Sequence, residues 1–435
     1  MALTNPFTPV PWCKRASIYE VNVRQYTPEG SLRAFAPHLP RLAKMGVDVL
    51  WFMPITPIGV PNRKGTIGSY YACSSYVQVN PEFGSLSDFK KVVQLAHDLG
   101  MKVILDWVAN HTGYGHDWME THPEFYLRDS KGGFMEMHGW DDVADLDFSN
   151  REMRELMVES MQYWIDECDI DGFRCDMAHL VPLDFWQETR TRLDALKPLF
   201  WLAETDNVLY HEVFDASYAW EWMHITENMV KDKLATTVLD KIYYEYEMYL
   251  PANGWKLFFT ANHDENSWNG TEYEKYGLNA LPLAVLAATW PGLFLLYTGQ
   301  EMPNLRRLLF FEKDELDWSQ PLEMEAFYGK LMQLRRRNKA AGGLLAEGIT
   351  RRIPTGSVYG FAFHREVEGQ EILVVVNFGS NAFPFRAGES AREGEYERVF
   401  TGGKVNIGAS KFLEIPANGY LILAKNSEDG SKSDT

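Results

Sequence analysis

Asp171-Gly172-Phe173-Arg174-Cys175-Asp176 sets two carboxylates and a guanidinium on a short run that otherwise reads as a buried strand. An apolar strand ending in charge is unfavourable unless the charges pair or react, because burial disfavours an ionised carboxylate and raises its pKa. Arg174 and Asp176 are two residues apart. They therefore lie on one side of a strand of period two, where the guanidinium can hold the carboxylate ionised. A positioned, ionised carboxylate at a strand end is what attack on a sugar carbon requires. An isolated Arg-x-Asp is more often a structural pair, so the rest of the chain has to decide. Cys175 points the other way and reads as packing.

Moving outward, short apolar runs ending in polar residues recur at 17–23, 48–53, 101–107, 172–176, 199–204, 214–219, 257–262 and 293–297. Helical periodicity follows most of them. Eight such units predict an α/β fold, a (β/α)8 TIM barrel whose site is built where the strands end. Ser85 with Asp88 reads as a capping box opening the stripe Leu86, Phe89, Val92, Leu95 and Leu99, with Gly100 as the stop. Pro37 and Pro40 should break the first helix, around 31–45. Residues 108–149 lack periodicity and are rich in Gly, His, Asp and aromatics. So long a loop in a compact fold is usually functional, and a loop-rich insertion after strand 3 is expected to cover the barrel mouth. Beyond 343 the pattern changes to short alternating runs at 357–364, 371–378, 382–386, 395–400 and 420–424, separated by turn residues. The expected organisation is a catalytic barrel over 1–345, interrupted by the insertion. An antiparallel β-sandwich over 346–425 and a disordered tail at 426–435 follow it.

A chain of 435 residues suits a large barrel with one appended domain. The net charge of −18 argues against nucleic-acid or anionic-membrane partners, which select for basic patches, whereas a neutral polymer is compatible with it. The 14 tryptophans and 21 tyrosines include rings able to stack on sugars. Cysteines 13, 73, 168 and 175 show no metal-type spacing and read as free buried thiols. No apolar stretch reaches membrane-spanning length. Residues 1–11 carry no basic region followed by an apolar one, so no signal peptide is expected. The default location is the cytoplasm, with a secreted or periplasmic one following if a leader has been removed. No organic cofactor is implied.

On the barrel reading, residues just past the strands converge. Strand three supplies Asp106, Asn110 and His111; strand four supplies Arg174 and Asp176, with His179 a turn later. Strand five supplies Glu204, and strand seven supplies His263 and Asp264. No row of lysines answers these acids. Asp176 and Glu204 on adjacent strands suit double displacement on a glycoside, which needs roughly 5–5.5 Å between carboxyl groups for retention. Arg174 should keep the pKa of Asp176 low. Glu204, after an apolar run and beside a like charge, should hold its proton. Asp264 would stabilise positive charge or grip hydroxyls, and His111 and His263 suit neutral hydrogen bonds to sugar hydroxyls.

The segments Asp106-Trp-Val-Ala-Asn-His111, Gly172-Phe-Arg-Cys-Asp176, Ala203-Glu204-Thr-Asp and Ala261-Asn-His-Asp264 resemble, in order and spacing, the four signature regions of the α-amylase family of glycoside hydrolases. The resemblance is strong over about residues 17–301. It implies a retaining glycosidase acting on α-1,4-linked glucans such as starch, glycogen or maltooligosaccharides. Asp176 would be the nucleophile, Glu204 the acid/base and Asp264 the transition-state stabiliser. It further implies that Arg174, His111 and His263 line the cleavage subsite, that Asp106 supports Arg174, that Tyr71 stacks under the scissile sugar and that His179 contacts the leaving side. Many members bind calcium between barrel and insertion; the matching side chains are Asn110 and Asp145, with a carbonyl near His179 or Leu180. Ser75 and Met177 depart from the family's usual residues and bear on linkage specificity, with α-1,4 favoured. The alternatives are an α-glucan transglycosylase, an α-glucosidase or cyclomaltodextrinase-like enzyme, and a non-catalytic scaffold, which retention of all three acids opposes.

Overall fold

The computed structural model describes residues 3–319, 321–388, 391–408 and 411–426. The tail expected at 426–435 lies outside them except for Asn426, whose side chain accepts from Asn338 Nδ2 at 3.3 Å.

All eight barrel runs form strands: β1 Ser17–Val21, β2 Val49–Phe52, β3 Lys102–Trp107, β4 Gly172–Cys175, β5 Phe200–Ala203, β6 Ala216–Tyr218, β7 Trp255–Phe258 and β8 Leu293–Tyr297. They close in the parallel order β1-β8-β7-β6-β5-β4-β3-β2. Most are shorter than the apolar runs that announced them, because the last residues leave the ladder to point into the mouth. The register then does the positioning. Asp106 pairs with Arg174 and Cys175 with Ala203, so Asp176 and Glu204, each one residue further on, emerge side by side. Gly172 makes this possible: a Cβ there would sit 2.1 Å from the Phe200 carbonyl oxygen, so only glycine lets β4 and β5 approach.

Ser85 and Asp88 form the expected capping box on Leu86–Asp98, and the two prolines split the first helix into Leu32–Phe35, a 3-10 turn Ala36–His38 and Leu39–Met45. The insertion is more ordered than its lack of periodicity implied. Two antiparallel strands, His111–Gly113 and Val143–Asp145, pair with His111 opposite Asp145. Strands of this length are too short for alternation to show.

Among the described residues, the C-terminal region forms antiparallel sheets of six and two strands. Its central strand Gln370–Asn377 has two buried faces. Ile372, Val374 and Val376 join the barrel's hydrophobic core, while Leu373 and Val375 join a second cluster with Phe385, Ile415 and Leu423. Period-two alternation thus welds the region to the barrel. The apolar helix Ala280–Thr289, buried along its whole length except Leu281, packs between them. Three strands gave no signal in the sequence: Ile349–Arg352, Lys404–Ile407 and Leu413–Ile415. The first two are the half-exposed edges of the larger sheet. The four cysteines are free and buried, as expected.

Candidate active site

β4 carries the centre of the site. The wholly buried Arg174 donates from Nη1 to Asp176 Oδ1 and to Asp106 Oδ1, both at 2.8 Å, and its Nη2 lies 2.9 Å from Glu204 Oε2. Its Nε donates to the Tyr218 hydroxyl at 3.1 Å, and the Trp51 ring flanks the guanidinium at 4.9 Å. One cation therefore faces three buried carboxylates. Such an excess of negative charge is not a structural pair.

The electrostatics follow from that count. Burial pushes the pKa of Glu204 up to about 7; Arg174 opposes the shift, and Asp176 and Asp264 add to it. Burial likewise raises Asp176 to about 6 against the pull of Arg174. The expectation that Arg174 would keep Asp176 low is thus corrected, because Arg174 is shared with Asp106 and Glu204 and burial outweighs its portion. The order of the two acids stands. Glu204 holds its proton more tightly.

Met177 explains part of the aim of Glu204. Its backbone is left-handed, with φ 39°, unusual for a residue with a side chain and worth about 1–3 kcal/mol of strain. This turn points its amide at Glu204 Oε2, 2.9 Å away.

β7 delivers His263 and Asp264, and β1 brings Glu20, to which sequence reasoning gave no role. His263 Nδ1 donates to Glu20 Oε1, and its Nε2 lies 2.7 Å from the Tyr71 hydroxyl and 3.3 Å from Asp264 Oδ2. Burial would lower the imidazole pKa, but Asp264 and Glu20 overcome it and raise it to about 9. His263 is therefore an imidazolium at neutral pH, not the neutral donor expected. Tyr71 passes the chain on, donating to Asp106 Oδ2 at 3.0 Å, and its ring stacks on His263 with centroids 5.3 Å apart. Trp51 Nε1 supplies the other donor to Asp106 Oδ2, at 3.1 Å.

His111 behaves as read from the sequence. Burial, with the nearby His138, lowers it to about 4, so it is a neutral hydrogen-bonding group. Its ring lies 5.3 Å from that of Trp140. Tyr71, His111, Asp176, Glu204, His263 and Asp264 all border one cavity of about 500 Å³, within the usual size of small-molecule sites. Asp106 lies beneath it as a support for Arg174. His179 is not brought in. It is exposed, and its carbonyl accepts from the Tyr210 hydroxyl at 3.1 Å. Trp140, Trp268 and Phe310 also line the cavity without having been foreseen. A signal for Glu20 existed, since a lone acid in Ser17-Ile-Tyr-Glu-Val21 raises the same question as Asp176.

Asn110 and Asp145 do meet, the Asn110 amide donating to Asp145 Oδ1 at 3.2 Å. Asp145 Oδ2 accepts from the Met137 amide at 3.1 Å, with His138 Nε2 3.9 Å away. As arranged, these donors do not fit calcium, which takes six to eight oxygens. Both oxygens of the one carboxylate are already engaged, and the described residues hold no metal-type cluster of three or more His, Cys, Asp or Glu.

Comparison with known proteins points one way. The family model described as "Alpha amylase, catalytic domain" matches residues 15–139 and 124–314. The alpha-amylase MalA of Haloarcula japonica is 27% identical over 403 residues, 87% of this chain and 58% of that protein, so the chain spans somewhat over half of that relative. The crystal structure of an alpha-amylase from Lactobacillus plantarum superposes with TM-score 0.86 at 26% identity, covering 95% of this chain and 100% of that one. That of a noncanonic maltogenic alpha-amylase, AmyB from Thermotoga neapolitana, does so with TM-score 0.85 at 30% identity, covering 95% and 99%.

Proposed function

The chain belongs to the α-amylase family of glycoside hydrolases, and from that membership we propose that it is a retaining hydrolase of α-1,4-glucosidic bonds in starch, glycogen or maltooligosaccharides. The observation that carries the reading is the convergence of Asp176, Glu204 and Asp264 on one cavity above a single buried arginine. Asp176 attacks the anomeric carbon as the glycosidic C–O bond breaks, and the proton of Glu204 goes to the leaving oxygen. Glu204, now a carboxylate, takes a proton from water. The resulting hydroxide attacks the same carbon and releases Asp176, so two inversions give net retention. Asp264 and the array around Arg174 face the positive charge that develops on the ring. The pKa order, about 6 for Asp176 and about 7 for Glu204, matches these roles.

No helix among the described residues is long and apolar enough to cross a membrane, and the negative net charge suits a neutral glucan rather than a polyanion. The test is incubation with starch and with maltoheptaose, the anomeric form of the new ends being read by NMR. Release of α-anomers is expected, and β-anomers or an absence of products would overturn the reading. Products longer than the maltoheptaose supplied would instead make the enzyme a transglycosylase with the same intermediate.

A further inference from the structure

The barrel order places β5, which carries Glu204, directly across from β1, with β8 and β2 on either side of β1. Glu204 protonates the leaving oxygen, so the departing part of the chain extends past β5. On that reading, the sugars retained on Asp176 lie on the opposite side, toward β8 and β2. Loop lengths differ sharply between those two sides. After β4 and β6 the chain enters a helix almost at once, at 183 and 220, and between β5 and β6 only 204–215 intervene. After β2, β3 and β8 it runs through 53–85, 108–150 and 298–324 before the next long helix.

Those long loops are stitched together. Lys64, from the loop after β2, bridges Asp141 and Asp142 of the insertion, both at 3.0 Å. On its other side the same loop joins the one after β8. The Ile67 amide donates to the Phe311 carbonyl at 3.2 Å, the Thr66 amide donates to Glu312 Oε1 at 3.0 Å and the Thr66 hydroxyl bonds Glu312 as well. From below, the buried Arg24 donates to the Gly68 carbonyl at 2.9 Å and the Phe310 carbonyl at 3.4 Å. Gly65, at φ 63°, allows the closest approach, since a side chain there would collide with Phe311. Trp268, from the loop after β7, continues the rim with its ring 5.4 Å from that of Phe310. Across the cavity, the segments after β4, β5 and β6 contribute only Asp176, Met177 and Glu204 to the lining.

We propose that this rim walls off the glycone side of the cleft, so that the enzyme acts on the non-reducing ends of α-glucans and releases short products. The inference rests on the hydrolase reading above and specifies its substrate end. Lys64 and Glu312 are positioning residues of the wall; Phe310, Phe311 and Trp268 form its inner face. A polymer cannot lie through such a cleft in both directions, but a chain end can enter from the open β4–β6 side.

The test compares para-nitrophenyl maltoheptaoside with the same compound carrying an ethylidene cap on its terminal non-reducing glucose, products being followed by chromatography. The uncapped compound should be shortened from its non-reducing end, and the capped one cleaved roughly a hundredfold more slowly, as a site built to exclude the larger group would do. In the double variant Lys64→Ala, Glu312→Ala the capped-to-uncapped ratio should rise by about tenfold. Equal rates on both compounds with the unaltered enzyme would overturn the wall. A protein inert toward both would overturn the hydrolase reading first, and this inference with it, which is a distinguishable result.

Discussion

Asp171 and Asp176 stand at the two ends of one short strand, both buried, and their surroundings drive them apart. Asp171, on the barrel floor, is outnumbered by donors: His97 Nε2 at 2.6 Å, Lys102 Nζ and the Val103 amide at 3.0 Å, and Lys197 Nζ at 3.3 Å. Burial would raise its pKa, but the His97 hydrogen bond, the Val103 amide and the nearby cations bring it down to about 2. Asp176, at the mouth, shares one arginine with two other acids and is raised to about 6. A carboxylate surrounded by donors holds the fold together. Carboxylates that outnumber their cation are poised for chemistry, as floor and mouth positions in this architecture are generally divided.

The largest effect should come from breaking the mouth. Asp176→Asn and Glu204→Gln should each lower the rate on starch by about a thousandfold or more while leaving unfolding free energy equal to or above that of the parent, since each removes a crowded charge. Near-normal turnover in either purified variant would refute the assignment.

Asp171→Asn should do the reverse. Its activity per folded molecule stays unchanged, and urea unfolding at pH 7 shows a loss of about 2–3 kcal/mol. The sign follows from the lowered pKa. A carboxylate at about 2 in the folded state contributes stability above the unfolded value near 4, and that contribution fades as pH falls through 2. A deficit that persisted at the acid end would mean the donors there do not act through charge.

The mouth can also be titrated. Below about 6 Asp176 takes up a proton and ceases to be a nucleophile, and above about 7 Glu204 loses the one it must donate. A plot of kcat/KM against pH should therefore be a narrow bell with those limbs, belonging to the coupled pair. A flat profile from 5 to 9 would contradict the roles.

Glu20→Gln removes one of the two acids that keep His263 charged. Its imidazole, followed by NMR, should titrate below about 9, and the rate should fall roughly tenfold. An unchanged imidazole titration would dismiss Glu20 as a positioning residue. The smallest effect is expected from a chelator. EDTA should leave the melting temperature unchanged because Asp145 is already satisfied by protein donors, and a clear fall would reinstate calcium at Asn110 and Asp145.

Much of this was legible along the chain. Every barrel strand showed as an apolar run, and the acids could be placed at strand ends, because both signals are local. The insertion's three-residue strands and the half-exposed edges of the C-terminal sheet were not legible, since neither is long or apolar enough to alternate visibly. Glu20 shows in the sequence as a lone acid on an apolar strand, but its role depends on His263, which is far away along the chain. His179 lies exposed on a short 3-10 turn outside the cavity lining, a placement that sequence spacing does not reveal.

By itself, then, the order of residues determined the eight strands, their polar ends and the identities of Asp106, Asp176, Glu204 and Asp264, since period-two alternation and its interruption need only neighbours. Three matters waited for the closed barrel: which carboxylates share Arg174, whether His263 is charged, and which side of the mouth is walled. Each depends on burial or on the summed field of groups that β1, β3, β4, β5 and β7 bring together, or on loops from β2 and β8 that touch only once the sheet has closed.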